Sequence, residues 1–384
     1  MDFTESDEHV AIREAVAAIT TKFGPDYYTR NALAHEPTTE LWKALGHSGF
    51  IGINLPEEYG GGGAGMTELA LVCEETAAHG CPLLLLLVSS AISGELIAKY
   101  GSDDQRQRWL PGMASGETKV VFAITEPDAG SNTHQLSTHA VRDGDDYLLN
   151  GTKYYISGVD EAEALVVVAR TGHDELTGRA QLSLFLIPTD APGLVKHALP
   201  VGVALPEKQF TLHFDNVRVP ADSLLGVEHQ GFSQVFDGLN PERITGAAIC
   251  VGVGRFTLAR AAEYARTRTV WGQPIGMHQG LSHPLAKAQI EVQLAALATA
   301  KAAWLYEHGK AAAEASNVAK YAAAEAAVAA ADAAIQTHGG NGLSNDYGLL
   351  PQWGLARLLR IAPVSREMIL NYVAQHSLQL PRSY

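Results

Sequence analysis

Residues 122–132 read FAITEPDAGSN, and this stretch decides how the chain is organised. It begins with apolar and β-branched residues typical of a strand and ends in a loop rich in Thr, Asp, Gly and Ser. Such a loop exposes backbone and hydroxyl groups that can bind a ligand, although a plain surface turn has a similar composition. The stretch also marks the point where the character of the sequence changes from helical to β.

Residues 119–226 predict a small all-β domain. Six short segments are rich in β-branched and aromatic residues, and Asp143-Gly144, Asn150-Gly151 and Pro192-Gly193 are predicted turns. Too few helical intervals separate the segments for a doubly wound sheet. The six segments are KVVFAIT (119–125), HAVRD (139–143), DYLLNGTKYYIS (146–157), ALVVVAR (164–170), LSLFLIPTD (182–190) and FTLHFDNVRVP (210–220).

Helical patterns lie on both sides of this β region. In residues 1–118, DEHVAIREAVAAIT (7–20) and MTELALVCEETAAHG (66–80) carry apolar residues three and four positions apart. Residues 227–384 contain long alanine-rich runs such as 318–340. Because alanine favours helix and lets helices approach closely, this part predicts a bundle with some faces buried between subunits. Three domains are therefore expected, at 1–118, 119–226 and 227–384.

The composition predicts a soluble globular protein. The chain has 384 residues, too many for one ordinary core, with 46% hydrophobic and 18% charged residues. Its 42 acidic and 28 basic side chains give a formal charge of −14, which argues against general affinity for nucleic acid or anionic membranes. An anionic ligand would need a local cluster of Arg or Lys.

The sequence also indicates a cytoplasmic location. The acidic start, MDFTESDEHV, lacks the basic and apolar regions of a signal peptide. The apolar stretch CPLLLLLVSSAISG (81–94) is shorter than a membrane span and predicts a buried core helix. Cys73, Cys81 and Cys250 have no metal-type spacing, so free thiols in a reducing compartment are expected.

Several kinds of catalytic site have no support in the sequence. There is no His-Glu-x-x-His or paired Cys for zinc, and no Gly-x-Ser-x-Gly elbow. VGVGR (251–255) lacks the third glycine of a dinucleotide loop, and helix packing through Gly252 and Gly254 is the favoured interpretation. LPEEYGGGGAG (55–65) lacks a Gly-Lys-Ser/Thr ending, which indicates a flexible connection.

TEPDAGSN (125–132) resembles the flavin-contacting segment of the acyl-CoA dehydrogenase family. Five further segments resemble that family in order and spacing, and together they span nearly the whole chain. They are PEEYGG (56–61), NGTKYYISG (150–158), FDNVRVPADSLLG (214–226), YARTRTVWGQPI (264–275) with Gln279, and QTHGGNG (336–342). The resemblance implies an α+β multidomain fold with an N-terminal helical domain, a central β-barrel-like domain and a C-terminal four-helix bundle.

The resemblance also implies FAD as cofactor. It places Ile124 and Thr125 beside the isoalloxazine ring, and Gly130 and Ser131 near the flavin and the CoA arm. Tyr155 stands where the family has Trp and would cover the flavin face, unless it is simply a buried strand aromatic. The Ser157 hydroxyl would approach flavin N5. Gly158 replaces the family's usual Asn, and the sequence does not predict the effect.

The resemblance implies that a second group of residues holds FAD across a subunit contact. This arrangement requires at least a homodimer, and because members of the family are usually tetrameric, a homotetramer is expected. Arg268 suits a pyrophosphate through its planar fork, and Gly339 could also end a helix. No metal site is expected. The full set of implied cofactor residues is Phe122, Ile124, Thr125, Gly130, Ser131, Tyr155, Ser157, Arg268, Trp271, Gln279, Gln336, Thr337, Gly339, Gly340 and Ser365.

The position of the catalytic base departs from the commonest family pattern. Many members supply the base from a Glu near the C-terminus, but Pro363 stands there in RIAPVSREMI (360–369). A branch that includes isovaleryl- and long-chain acyl-CoA dehydrogenases carries it in a Glu-Arg pair that matches Glu242-Arg243. Glu242 is therefore the predicted base. Glu367, expected one helical turn beyond Pro363, is the alternative base, although a surface position is favoured for it.

Local rules give Glu242 a second interpretation. In LNPERI (239–244), Asn240 and Pro241 predict a helix start, with Glu242 as a first-turn carboxylate. The resemblance assigns Asn240, Arg243 and Ser131 to the CoA substrate.

These residues are compatible with three functions. The first is dehydrogenation of an acyl-CoA to a trans-2-enoyl-CoA, with electrons passed to an electron-transferring flavoprotein. The second is a flavin-dependent monooxygenase or oxidase of the same fold with a modified base site. The third is a binding or scaffold protein, against which the retained flavin, CoA and base positions argue.

Overall fold

The computed structural model describes residues 4–176 and 178–382. The first part of the chain is helical, as predicted, and α6 begins at a capping box in which Ser102 accepts from Gln105 N at 3.2 Å. The stretch predicted as a buried core helix is confirmed: residues 86–94 are all buried. The elements are α1 (Asp7–Thr21), α2 (Gly24–Ala34), α3 (Thr39–His47), α4 (Met66–Ala78), the π-helical segment Leu86–Gly94, α5 (Glu95–Tyr100) and α6 (Asp103–Ser115).

An eight-stranded mixed sheet follows, in the order β6-β7-β3-β2-β4-β5-β8, with β1 parallel to β4. All six predicted strands are confirmed. Two strands of this sheet had no counterpart in the prediction. One is β8, which has only two residues, and the other is the edge strand β6, whose residues are mostly exposed and show no alternation. The strands are β1 (Val120–Ala123), β2 (His139–Asp143), β3 (Asp146–Ser157), β4 (Ala164–His173), β5 (Ala180–Pro188), β6 (Leu194–Ala198), β7 (Gln209–Pro220) and β8 (Leu224–Leu225).

One predicted turn is wrong. Asn150-Gly151 lies inside β3, where the pairing with β7 shifts register between Leu149 and Gly151. Gly151 has φ of 142°, and a Cβ there would stand 2.5 Å from the Thr138 hydroxyl oxygen. Glycine therefore serves a bulge and a close approach to Thr138, not a chain reversal.

The rest of the chain is a helical bundle. Gly252 packs against α4, where an added Cβ would lie 2.2 Å from the Glu74 carbonyl oxygen, and Gly254 packs against Val292. The prediction of helix packing through these glycines is confirmed. The elements are α7 (Gly231–Thr267), β9 (Thr269–Val270), β10 (Gln273–Pro274), α8 (Gln279–Glu307), α9 (Ala313–His338), α10 (Leu349–Leu359) and α11 (Arg366–Tyr372).

The predicted helix start at Asn240-Pro241 is wrong. Helix α7 begins at Gly231 and continues through Pro241. Proline has no N–H and therefore leaves the carbonyl four residues earlier, that of Asp237, without its helical partner. The Tyr306 hydroxyl donates to that carbonyl oxygen at 3.1 Å. A side chain from α8 thus lets the helix pass through the proline, and Glu242 is not a first-turn residue.

Helix α7 is long and apolar enough to cross a membrane by length and composition alone. However, 83% of its most apolar 18-residue window is buried inside the protein, as in a core helix. Cys73, Cys81 and Cys250 are buried and unpaired.

Candidate active site

Glu242 lies on the face of α7 that meets the N-terminal helices. Gly238 and Gly246, four residues before and after it, share this face. Gly238 packs against the side chains of the π-helical segment and α5, and a Cβ on Gly246 would lie 3.2 Å from Leu87 and 4.0 Å from Pro363. Glu242 therefore faces the region between the apolar π-helical segment and the loop that carries Pro363.

The Glu242 carboxylate is partly buried, and within the described residues it accepts no hydrogen bond. Burial raises its pKa to about 8, against the lowering effect of the Arg243 and Lys320 charges. A carboxylate held in this way has a higher proton affinity than an exposed Glu. That is the property a general base requires near neutral pH.

Lys320 is a buried cation beside this face that the sequence did not reveal. Its side chain is 1% exposed, and its Nζ donates to the carbonyl of Val364, the residue after Pro363. Burial lowers the pKa of Lys320 to about 8, with the Glu242 charge opposing that change. The sequence does contain one indication of this position. Lys320 lies four residues from both Ser316 and Ala324, on a helix face whose other side chains are small and uncharged.

Arg243 and Asn240 form a polar pair next to Glu242. The Arg243 guanidinium is buried and donates from Nη1 to Asn240 Oδ1 at 3.0 Å. Its Nε has no hydrogen-bond partner among the described residues. Buried donors are rarely left unpaired, so this group is available to a polar ligand.

The alternative base lies elsewhere. Helix α10 ends at Leu359 and α11 begins at Arg366, so Pro363 and Glu367 do not share a helix and the expected common face is wrong. The Glu367 side chain is 72% exposed and pairs with Arg366 at 3.3 Å. Glu367 is a surface carboxylate, as the favoured interpretation predicted.

The loop that follows β1 is fixed by a buried ion pair. Lys153 Nζ donates at 2.9 Å to the Glu126 carboxylate and at 2.9 Å to the Ile124 carbonyl. The backbone N–H groups of Ser137 and Thr138 also donate to Glu126. The sequence motifs contain both Glu126 and Lys153, but no role was assigned to either. Only their burial reveals that they hold the loop in place.

The residues expected to face the flavin lie in this loop and in the adjoining strands β1 and β3, and they differ in exposure. Tyr155 is 55% exposed with φ of 57°, so the interpretation as a buried strand aromatic is wrong. An aromatic held in a left-handed conformation is locally strained, as is common at binding sites. Gly130 and Ser131 are exposed, whereas Phe122 is buried in β1, and Ile124 and Thr125 are partly buried.

The structure also accounts for Gly158. It has φ of 66°, and a Cβ there would stand 2.9 Å from a methyl group of Leu85. A larger residue would be strained and would strike the π-helical region. Leu85 touches Gly158 and Leu87 touches Gly246, so the Tyr155–Gly158 end of β3 and the Glu242 face adjoin the same apolar helix.

The second group of predicted cofactor residues lies at one end of the bundle, where α7 ends, α8 begins and α9 ends. Tyr264 stacks on His338 with ring centroids 4.3 Å apart, which shows that these ends adjoin. Trp271 is 89% exposed, and Gly339, the C-cap of α9, has open space around its Cα. The residues brought together are Arg268, Trp271, Gln279, Gln336, Thr337, Gly339 and Gly340.

Within one chain this group lies far from Glu242 along α7. Arg268 follows Glu242 by 26 residues along a helix, about 39 Å at 1.5 Å per residue. Ser365, the last predicted contact, caps α11 by accepting from Met368 N at 3.3 Å.

The two groups together fit FAD. An exposed hydroxyl- and glycine-rich loop and an exposed aromatic suit a flavin ring, and an exposed Arg beside two open glycines suits a pyrophosphate.

Comparison with known proteins gave matches along the whole chain. Models for the N-terminal, middle and C-terminal domains of acyl-CoA dehydrogenase match residues 6–117, 121–217 and 229–378. The acyl-CoA dehydrogenase FadE12 of Mycobacterium tuberculosis is 56% identical over 384 residues, covering 100% of this chain and 99% of the relative. Butyryl-CoA dehydrogenase from Megasphaera elsdenii has a TM-score of 0.92 at 26% identity, covering 99% of this chain and 100% of that one.

A glutaryl-CoA dehydrogenase from Mycobacterium smegmatis, solved in complex with FADH2, has a TM-score of 0.91 at 26% identity. The similarity covers 99% of this chain and 96% of that one.

Proposed function

Because the chain belongs to the acyl-CoA dehydrogenase family, we propose that Glu242 is the base of its reaction. The protein is a flavin-dependent oxidoreductase that converts an acyl-CoA thioester to a trans-2-enoyl-CoA. The observation that carries the assignment is the unpartnered, partly buried Glu242 carboxylate on the helix face that approaches Pro363 at Gly246. Proline cannot take a proton.

Glu242 takes the proton from the α-carbon of the thioester. When bound, FAD supplies the acceptor for the β-hydrogen, which leaves as hydride. The raised pKa of Glu242, about 8, means that its protonated form is stable after the transfer. The apolar side chains of the π-helical segment keep water from this region, which strengthens the electrostatic effect of nearby charges.

Asn240, Arg243 and Ser131 bind the CoA part of the substrate. The unpaired Arg243 Nε supports this assignment, because a buried guanidinium donor gains most from a polar ligand. His134, three residues after Ser131, stacks on Phe232 of α7 with centroids 4.9 Å apart. This contact brings the Ser131 loop close to the start of the helix that carries Asn240.

FAD is shared between two copies of the chain. The flavin would bind at Ile124, Thr125, Tyr155 and Ser157 of one copy, and the remaining part at Arg268, Trp271 and Gln279 of the other. The distance of about 39 Å along α7 supports this arrangement, because one extended cofactor does not cover it within a single chain. A homodimer is therefore the smallest functional unit.

The proposed assembly is a homotetramer. Four exposed apolar residues follow one face of α8, with exposed fractions of 56%, 61%, 57% and 48%. An exposed apolar strip of this kind on a helix supports a protein interface there. The residues are Ile290, Leu294, Leu297 and Trp304.

The remaining proposals concern context. We place the domain limits at 1–118, 119–226 and 227–384. The matches of the three family models to residues 6–117, 121–217 and 229–378 support these limits. We also propose a cytoplasmic enzyme that passes its electrons to an electron-transferring flavoprotein, as its formal charge of −14 suits a soluble protein partner.

The test of the base is anaerobic mixing of the FAD-loaded protein with straight, branched and cyclic acyl-CoAs. The wild type and Glu367→Gln should bleach the flavin. Glu242→Gln should keep its FAD but bleach about 10²–10⁴-fold more slowly, in line with loss of a general base. Bleaching of Glu242→Gln at the wild-type rate would show that another group removes the proton.

Shared sites can be tested by co-expressing Glu242→Gln and Arg268→Ala chains with different tags. If each FAD uses Arg268 of a second copy, mixed dimers contain one fully intact site and regain activity. If Arg268 serves its own chain's site, every site in the mixed dimer carries a lesion and no activity returns.

A further inference from the structure

Ser157, the residue proposed to meet the flavin, is held by a side chain from the neighbouring strand. We propose that Gln209 is a positioning residue whose side-chain oxygen accepts the hydrogen bond from the Ser157 hydroxyl. The Ser157 oxygen can then only accept a hydrogen bond from flavin N5. The arrangement favours the reduced flavin. This inference rests on the proposed function, in which Ser157 adjoins N5.

The geometry around Gln209 is well defined. Ser157 and Gln209 are directly paired across β3 and β7, and Ser157 Oγ donates to Gln209 Oε1 at 2.9 Å. The backbone is fixed on both sides: Leu199 N donates to the Gln209 carbonyl at 2.7 Å, and Gly158 N donates to the Lys208 carbonyl at 2.9 Å. Gln209 is 6% exposed, so water does not compete freely for its amide.

The Gln209 amide serves Ser157 alone among the described side chains. Its Nε2 is buried and has no hydrogen-bond partner in the described part of the chain. Gln209 lines a cavity of about 230 Å³ with Leu199, Val203 and Leu205. A buried amide with a single side-chain hydrogen bond contributes little to the stability of the surrounding fold. The Gln209 amide oxygen instead orients the Ser157 hydroxyl.

The consequence follows from the number of hydrogens on each group. A serine hydroxyl has one hydrogen and two lone pairs. With its hydrogen engaged by Gln209, Ser157 offers only lone pairs to a second partner. N5 of an oxidised flavin is an acceptor and finds no donor there, whereas N5 of a reduced flavin carries a hydrogen and finds an acceptor. The pair thus shifts the equilibrium of the bound flavin towards the reduced form.

The test is the two-electron midpoint potential of the bound FAD, measured by spectroelectrochemical titration without substrate. Gln209→Met keeps the side-chain length but removes the amide oxygen, which frees the Ser157 hydrogen to donate to oxidised N5. We expect the equilibrium to move about tenfold towards the oxidised form, a fall of about 30 mV for a two-electron couple. An unchanged or raised potential overturns the proposal, and a rise would mean that Gln209 donates to Ser157.

A double-mutant cycle separates this role from a structural one. If Gln209 acts through Ser157, Gln209→Met should leave the potential unchanged in a Ser157→Ala background. An equal fall in both backgrounds contradicts the proposal. Gln181→Met, on β5 of the same sheet, is the matched control and should not alter the potential. Gln209→Leu repeats the measurement if Gln209→Met does not fold.

Failure of this inference can be told from failure of the proposed function. A wild type that binds FAD and is bleached by acyl-CoA, but whose potential is insensitive to Gln209→Met, excludes only the role of Gln209. A wild type that takes up FAD but is not bleached by any acyl-CoA contradicts the proposed function itself.

Discussion

The ammonium group of Lys153 lies 2.9 Å from the carboxylate of Glu126, with side chains 0% and 2% exposed. The pair joins β3 to the loop that follows β1. Burial raises the pKa of Glu126, but the Lys153 charge and the hydrogen bonds from Ser137 and Thr138 outweigh it and hold the pKa at about 2. The Glu126 carboxylate is therefore ionised at neutral pH, and the position of the loop depends on the charge of Lys153.

Removing one partner of this pair should be strongly destabilising. Lys153→Met leaves the Glu126 carboxylate buried without a counter-charge, and we expect a loss of about 3–5 kcal/mol in the free energy of unfolding. FAD uptake should weaken as well, since Ile124 loses its bond to Lys153. Denaturant unfolding and FAD titration measure both effects. The matched variant, Lys153→Met with Glu126→Gln, should recover most of the stability; equal instability of both variants would contradict the argument.

The pH profile should report Glu242. Its pKa of about 8 lies above that of an exposed Glu, and the base must be ionised, so kcat/KM should rise through an ascending limb near pH 8. The Lys320 charge lowers the pKa of Glu242, so Lys320→Met should move that limb to higher pH. Lys196→Met, an exposed Lys on β6, is the control and should leave the limb in place. A shift to lower pH with Lys320→Met would refute the coupling.

Tyr306 should stabilise the passage of α7 through Pro241. Tyr306→Phe removes the donor to the Asp237 carbonyl and leaves that oxygen unpaired, so we expect about 1–2 kcal/mol lower stability towards denaturant. Tyr321→Phe is the comparison, because the Tyr321 hydroxyl makes no hydrogen bond within the described residues. Equal losses in both variants would show that the Asp237 carbonyl needs no such donor.

Gly252 should tolerate no larger residue, although alanine is the better helix former by about 1 kcal/mol. A Cβ would lie 2.2 Å from the Glu74 carbonyl oxygen, so α4 and α7 would have to separate. We expect Gly252→Ala to lose about 1–3 kcal/mol of stability by thermal or denaturant unfolding. Gly280→Ala, where nothing lies within 4 Å of the added Cβ, should be neutral or stabilising.

The apolar strip on α8 should hold the assembly together. Leu294→Asp places a charge at the centre of the strip, and we expect the complex to dissociate into smaller species at concentrations where the wild type stays assembled. Sedimentation velocity measures this directly. Leu176→Asp, at a site 96% exposed and outside the strip, is the control. An unchanged assembly in Leu294→Asp would remove α8 from the interface.

The sequence alone predicted the family and most strands of the β region, although it missed the edge strand β6 and put a turn at Asn150-Gly151 inside β3. The predicted bounds of β2 and β3 agree with the structure, because runs of β-branched and aromatic residues between turn dipeptides are a local property. The motifs that contain Thr125, Tyr155 and Arg268 are short contiguous strings of residues. They can therefore be recognised from the sequence without knowledge of the fold.

The environment of the charged groups depends on the packing of segments that are distant in sequence. Local capping rules placed a helix start at Pro241, but Tyr306, 65 residues later, satisfies the freed carbonyl and the helix continues. No local pattern assigns a role to Gln209, and the helical spacing around Lys320 does not show that this side chain is buried. Segments distant in sequence bury both residues. The protonation of Glu242 depends on the same contacts, because desolvation is a property of the packed structure and not of neighbouring residues.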